Sequence, residues 1–392
     1  MRYFKLLLVL LLISVLLLGC GKDTPEDITL YSGLSIVVPA AADNTTAQAA
    51  AGLQAYFSNK TNLPMPAITT DDPGENAIVL KVDSSLAAGA YSFVPKNGSL
   101  YVTAGNAHTL MYATKLLRQA LLDAPGSTLL TVALCESLSG EVPADNIPFT
   151  VITQNILSKE ADGGNSITDR VPRLQALVTE YQPDILALQE NSPEWQGYYQ
   201  GFLMEHYFAV NQETVTILLR KDRYEVVEQG FFYLSPTPDV RSQFEGDSGP
   251  RRCTWAVVTD KLTGRTFLVY STHPDWNNDT QRALQVGVLL EQLGPYFEKY
   301  PTIGCGDFNT ERNSPVYATI TAQFLDSAET ATRKLSTIDH TCHSFGSTQS
   351  YIDYIFHSEA LQPESHYIIS EMYGGYVSDH YGVCVQFRFA TE

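Results

Sequence analysis

Two patterns of apolar and polar positions divide the chain near residue 140. Before it, short alternating runs are separated by runs with helical spacing. Ile28 to Val38 alternates as a strand that Pro39 ends, and Thr45 to Phe57 repeats as a helix with Asn44 as its cap. Ala77 to Val82 alternates again. Tyr91 to Val94 and Ser99 to Thr103 are joined through Asn97-Gly98, a hairpin turn signal. Ala107 to Leu122 is an amphipathic helix stopped by Asp123-Ala124-Pro125-Gly126, and Leu129 to Leu134 adds a last strand. This order predicts a small α/β domain over residues 28–140. Glu141 to Pro148, with prolines at 143 and 148, reads as a linker.

In the second part the apolar runs end on polar residues. Phe149 to Asn155 alternates and ends on Asn155, and Asp184 to Leu188 runs into Gln189-Glu190-Asn191. Thr266 to Thr272 runs into His273-Pro274-Asp275, and Thr302 to Cys305 into Gly306-Asp307-Phe308-Asn309. Val377-Ser378-Asp379-His380 precedes a final strand, Gly382 to Phe389. Asp353 lies inside the strand Tyr351 to His357, between Ile352 and Tyr354. Further strands fall at 214–220, 225–234 and 254–259. Helices fall at 173–181, 279–293 (ended by Gly294-Pro295) and 314–324.

A single polar strand end is a turn, because Gly, Asp and Asn are ordinary turn residues. Several carboxylates, two imidazoles and two carboxamides at strand ends imply a shared rim. Glu190 closes an apolar strand, where a charge is unusual unless it faces a site; the alternative is a plain loop before the cap-plus-proline start Ser192-Pro193. The two-residue spacing puts Asp307 and Asn309 on one side of an extended chain, able to hold a water and a phosphate oxygen together. A buried Asp353 must find a hydrogen-bond partner or a charge.

Length and charge narrow the function. A chain of 392 residues suggests about two domains. Its formal charge is −18, and residues 148–392 carry 17 Lys plus Arg against 31 Asp plus Glu. So acidic a body repels polyanions and lacks the basic surface of an avid duplex-DNA binder. The first residues read as a targeting segment. Arg2 and Lys5 precede an apolar run, Leu6 to Leu18, too short for a typical membrane span. The run ends in Leu17-Leu18-Gly19-Cys20, which resembles the bacterial lipobox. That resemblance implies a signal peptide over residues 1–19, lipidation of Cys20, a tether over 20–27 and an address in the cell envelope. The five other cysteines are scattered, with no Cys-x-x-Cys pair, so zinc-finger and thioredoxin readings have no support.

The polar strand ends occur here as Thr153-Gln154-Asn155, Leu188-Gln189-Glu190, Ser271-Thr272-His273, Gly306-Asp307-Phe308-Asn309, Ile352-Asp353-Tyr354 and Ser378-Asp379-His380. In this order they resemble the motifs of the endonuclease/exonuclease/phosphatase (DNase I-like) superfamily, over nearly all of residues 148–392. The resemblance implies a four-layer α/β sandwich, two mixed sheets with outer helices, and hydrolysis of a phosphate ester with a divalent metal, Mg²⁺ before Mn²⁺ or Ca²⁺. It implies Glu190, Asn155 and Asp379 as metal ligands. Asp307, or in its place the Asp353–His380 pair, would act as base toward the attacking water, with Asp307 the first choice, and Asn309 would orient that water or a phosphoryl oxygen. His273 and His380 donate to non-bridging oxygens, and Asp353 pairs with His380. Arg251 and Arg252 resemble a Pro-Arg before a Thr-Trp strand in bacterial members, and His343 stands in a similar loop. These three are substrate-binding candidates, with an exposed strand-edge pair as the alternative for the arginines. Residues 45–122 resemble the N-terminal accessory domain of bacterial β-hexosaminidases and α-glucuronidases, which implies a packing domain that also allows glycan contact.

The expected function is an exported, membrane-tethered hydrolase of small or lipid-linked phosphate esters, a phosphodiesterase or phosphatase. The alternatives are a secreted nuclease, which the charge disfavours, and a surface glycan-binding lipoprotein.

Overall fold

In a computed structural model the described residues are 24–71, 73–122, 128–211 and 213–390. Leu17 to Cys20, and with them the expected signal peptide and lipidation site, lie outside these residues. The described residues form two compact units that divide between Val142 and Pro143. Among the described residues no helix is long and apolar enough to cross a membrane.

The first unit is a small α/β domain. Its six-stranded sheet takes the spatial order 67–69, 35–37, 77–82, 99–104, 90–96, 140–141. Helices Asn44–Lys60 and Ala107–Leu122 supply much of its core, with Leu53, Phe57, Leu110 and Leu117 fully buried against Ile36, Ile78, Leu100 and Val102. The single strand expected over Ile28 to Val38 is two, Ile28–Thr29 and Ser35–Val37, parted by a turn. The helix cap is Asp43 rather than Asn44, its carboxylate accepting the Thr46 N–H at 2.7 Å. After Leu129–Leu130 the chain turns helical over Val132–Leu138 instead of continuing as a strand.

The second unit is a helix–sheet–sheet–helix sandwich. Its elements are β1 (Phe149–Asn155), α1 (Ile167–Tyr181), β2 (Ile185–Gln189), α2 (Pro193–Tyr199), β3 (Tyr207–Val210), β4 (Val215–Arg220), β5 (Tyr224–Tyr233), β6 (Arg252–Asp260) and β7 (Thr266–Thr272). There follow α3 (Asp279–Phe297), β8 (Thr302–Asp307), α4 (Pro315–Thr321), β9 (Leu325–Asp326), α5 (Ser327–Thr330), β10 (Arg333–Lys334), β11 (Asp353–His357), β12 (Leu361–Ile369) and β13 (Gly382–Phe389). One sheet runs β3-β4-β2-β1-β13-β12-β10 and the other β5-β6-β7-β8-β11-β9. Each has a parallel pair near its middle, β1 with β2 and β7 with β8, flanked by antiparallel neighbours, and the first sheet has a second parallel pair at its edge, β10 with β12.

Strand alternation gives each sheet two apolar faces. Val151, Ala187, Val269, Ile303, Cys305, Ile355 and Val385 meet between the sheets. Ile152, Leu186 and Leu218 face outward onto Leu174, Leu177 and Trp195 of α1 and α2. Tyr270, Tyr354 and Phe356 face Val286, Leu289 and Ile320 of α3 and α4. Counting in twos along the inner face therefore leads from Val151 to Asn155, from Val269 to His273, from Ile303 to Asp307 and from Ile355 back to Asp353. The polar residues continue the columns of the inter-sheet core and surface at one end of it. Just beneath them a polar layer ties the sheets together: Gln189 Nε2 donates to Thr153 Oγ1 at 3.0 Å and across the sandwich to Ser271 Oγ at 3.1 Å. Gly306 is required there, because a Cβ would lie 2.2 Å from the Thr272 carbonyl oxygen, a backbone atom that cannot retreat.

Candidate active site

Asp307 Oδ2 is where the strand ends converge. It accepts from Asn155 Nδ2 at 3.1 Å and lies 3.4 Å from His273 Nε2 and 3.9 Å from His380 Nε2. Its other oxygen takes the Asn309 N–H at 2.9 Å. Asp307, Asp353, Asn155, His273 and His380 are all buried. Burial, and then the charge of Asp353, hold the Asp307 carboxyl above its ordinary range. Asp353 opens β11 instead of lying inside it, opposite Asp307 in the antiparallel register. Its Oδ2 meets His380 Nδ1 at 2.8 Å, while its Oδ1 is buried without a hydrogen-bond partner. Burial alone would depress His380, but the facing Asp353 carboxylate outweighs it and raises the imidazole well above 6.5. For His273 burial wins over the pull of Asp307, and its affinity for a proton is lowered.

Glu190 follows β2 in a left-handed conformation, φ 58°, as do Leu157 (53°) and Asn309 (51°). Non-glycine residues adopt this region rarely, and its cost collects at functional sites. Glu190 Oε1 takes Asn155 Nδ2 at 3.2 Å, and Oε2 takes both the N–H and the hydroxyl of Ser158, at 2.9 and 2.7 Å. Burial would raise its pKa, but His273 and the Ser158 and Asn155 hydrogen bonds bring it down to about 2. Since His273 is itself pushed toward neutrality, the Ser158 bonds carry this effect at pH 7. The depressed value stabilises the fold fully above the ordinary 4.5, and the contribution fades as pH falls toward 2. Glu190→Gln is therefore expected to flatten the pH dependence of stability between about pH 4.5 and 2, which urea unfolding across that range measures.

The other expected residues separate into those at this cluster and those beside it. Asn155 turns its donor nitrogen to both carboxylates, and its oxygen accepts the Leu157 N–H at 2.9 Å. A ligand role for it requires the carboxamide to turn over. The Asp379 carboxylate accepts from Ser378 Oγ at 3.1 Å and forms no hydrogen bond or ion pair with Asn155 or Glu190. Its carbonyl takes the N–H groups of His343 and Ser344. Asp307 and Asn309 do not share a side of an extended chain, because β8 ends at Asp307 and the positive φ at Asn309 turns the backbone. Asn309 Nδ2 instead donates to the Pro274 carbonyl at 3.1 Å, tying the ends of β7 and β8.

The two arginines diverge. Arg251 lies 3.6 Å from the buried Asp275 and bonds Ser248 Oγ at 3.1 Å, on the His273 side. Arg252 pairs with Glu213 at 2.9 Å and lies over the rings of Phe231 and Tyr233. His343 is buried between Tyr376 and Tyr381, ring centroids 4.5 and 4.1 Å away, and burial brings its pKa down to about 4.

Two groups can hold a cation. Ligand atoms of Asp307, Asp353 and His380 lie within 4.8 Å of one another, and the orphaned Asp353 Oδ1 is an oxygen in search of a partner. The second is Glu190, ionised at any physiological pH, beside Asp307. A cavity of about 560 Å³ at the far end of the second sheet, lined by Tyr300, Phe324 and Ser358, contains none of these residues.

Residues 152–380 match the model of the endonuclease/exonuclease/phosphatase family. The chain belongs to that family. Such membership, with the acidic and imidazole cluster, makes it a metal-dependent phosphoesterase. Residues 22–136 match the second domain of glycosyl hydrolase family 20. Among solved structures, a family protein from Bacteroides vulgatus is 25% identical, covers 62% of this chain and 99% of its own, and superposes with a TM-score of 0.58. One from Bacteroides thetaiotaomicron is 25% identical over 63% and 99%, TM-score 0.56. A mannosyl-6-phosphatase from the same organism is 25% identical over 61% and 99%, TM-score 0.56. No protein of curated function matches the sequence.

Two residues around this cluster escaped the sequence reading, Ser158 and Arg170. Ser158 gives no local signal. Arg170 does: it stands on the buried stripe of α1 with Ile167, Leu174 and Leu177, where an apolar residue is expected.

Proposed function

We propose that the protein hydrolyses small phosphate esters, with sugar phosphates as the first candidates, outside the cytoplasm from a lipid-anchored position. The observation that carries the chemistry is the convergence of Asn155, His273 and His380 on one oxygen of Asp307, beside the ionised Glu190. An oxygen-rich carboxylate position suits Mg²⁺ better than one that includes an imidazole. His380 is already committed to Asp353 and carries a proton readily, which makes Glu190 the better of the two positions for the ion. Glu190 would thus hold the Mg²⁺, with Asp307 facing it.

The bound ion would neutralise phosphoryl charge and stabilise the leaving oxygen. The protein's own groups do the rest. Asp307, its pKa raised, accepts the proton of the attacking water better than an exposed carboxylate. His380, kept protonated by Asp353, donates from Nε2 to a non-bridging oxygen, and His273 donates beside it. Asn155 keeps the two carboxylates apart. Arg251 is the candidate for a second phosphoryl or leaving-group contact, while Arg252 braces the rim.

The acidic surface favours small substrates over DNA, with 31 acids against 17 bases in residues 148–392. The similarity to a mannosyl-6-phosphatase and the family 20 match of the first domain favour a carbohydrate-borne phosphate. The Arg2-to-Cys20 pattern supports export and lipidation. Assaying hexose 6-phosphates, a chromogenic phosphodiester and supercoiled plasmid in Mg²⁺ tests the reading. The expected result is turnover of the small esters without nicking, and plasmid nicking at physiological salt as the dominant activity would overturn it.

A further inference from the structure

Arg170 is fully buried on α1, and no carboxylate among the described residues forms an ion pair with it. Its guanidinium is spent on backbone carbonyls instead. Nη1 donates to Ile156 and, at 2.9 Å, to Leu157; Nη2 donates to Lys159 at 2.6 Å; Nε donates to Asn165 at 2.8 Å. The guanidinium also stacks over the Trp195 ring at 5.2 Å, and Trp195 Nε1 adds a second donor to the Leu157 carbonyl at 2.9 Å.

These carbonyls belong to the loop that leaves β1 at Asn155. The left-handed Leu157 polarises that loop: its carbonyls turn toward Arg170 and its N–H groups turn the other way. Leu157 N–H reaches Asn155 Oδ1, and Ser158 N–H and hydroxyl both reach Glu190 Oε2. One cation on the back of the loop thus aims two donors at one carboxylate oxygen on its front. Arg is suited to this because its planar fork offers five fixed donors, where Lys offers a single point charge.

We propose that Arg170 is a positioning residue that fixes the Glu190 carboxylate for metal binding through the loop Ile156, Leu157 and Ser158. The inference rests on the reading that Glu190 holds the metal. Fixing Oε2 with Ser158 leaves Oε1 as the oxygen turned toward Asn155 and Asp307. Outer partners of metal ligands are typically worth about 10–100-fold in affinity.

The test is titration calorimetry with Mn²⁺ on the purified protein, together with thermal melts. Arg170→Lys and Ser158→Ala are each expected to weaken Mn²⁺ binding by about 10–100-fold, with Ser158→Ala still folded and melting only modestly below wild type, because Glu190 keeps the Ser158 N–H donor. Because both act on Glu190 Oε2 through one loop, the double variant is expected to bind no more weakly than the weaker-binding single variant. Should Arg170→Lys fail to fold, Trp195→Phe removes one donor from the carbonyl side and is held to the same expectation. Wild-type binding with unchanged affinity in the variants overturns this inference and leaves the proposed function standing. Additive losses in the double variant also overturn it. A wild type that binds no Mn²⁺ overturns the metal reading and this inference with it.

Discussion

Asp307→Asn is expected to lower phosphate-ester hydrolysis by about 10³-fold, within the usual range for a lost general base, while the protein melts at or above the wild-type temperature. The two halves have one cause. Asp307 is buried, its charge faces Asp353 across the β8–β11 register, and its proton affinity is raised accordingly. That tension makes the carboxylate a better base and a costly group to keep ionised. The isosteric carboxamide relieves the repulsion but cannot take a proton from water. Lost function with retained or increased stability is the pattern expected of a site strained for activity. Steady-state phosphate release and a thermal melt of the same preparation measure both. A variant that retains a tenth of wild-type activity would remove Asp307 from the base role.

The second large effect concerns His380. Asp353→Asn replaces a carboxylate by an amide beside Nδ1, with an expected activity loss of about 10²–10⁴-fold. The pH dependence identifies the cause. The folded His380 pKa is raised above the ordinary 6.5 by Asp353. The protonated donor therefore persists above pH 6.5 in the wild type and is lost as pH rises through the raised value. The stability of the pair follows the same course, fully present below 6.5 and fading on the alkaline side. In Asp353→Asn the alkaline limb of kcat/KM is expected to move down toward 6.5, because only the Cys342 contact and the Asp307 charge then oppose burial. An unshifted limb in a variant of reduced activity would mean that Asp353 acts on structure alone.

Much of this site was legible because the physics of strands is simple. A buried strand alternates, its inner face is apolar, and several carboxylates, imidazoles and carboxamides closing such faces together imply one rim. Asn155, His273, Asp307 and His380 were all found by that reasoning. What lay between strands was harder. The turn at Asn309 depends on one left-handed residue and removes the shared orientation that two-residue spacing suggests. Arg251 and Arg252 are neighbours in sequence, and only the packing of Phe231, Tyr233, Glu213 and Asp275 parts them. The strand β12 was missed because Pro363 argues against one; the sheet accommodates it with a register shift between Pro363 and Ser365. Pro295 suggested that α3 stops at Leu293, but the helix carries the proline on to Phe297 at the cost of one intrahelical N–H bond. The short edge strand β3 is only four residues long and carries no clear alternation of its own.

The central claim is that the residues at one end of the sandwich hydrolyse a phosphate ester with a metal ion. Its most direct test measures phosphate release from a panel of sugar phosphates and chromogenic esters, by wild type and Asp307→Asn, in Mg²⁺ and in excess chelator. Turnover is expected only for the wild type in Mg²⁺, restored on adding the ion back after chelation. Chelator-insensitive turnover, or the same null result for wild type and Asp307→Asn across the whole panel, would contradict it.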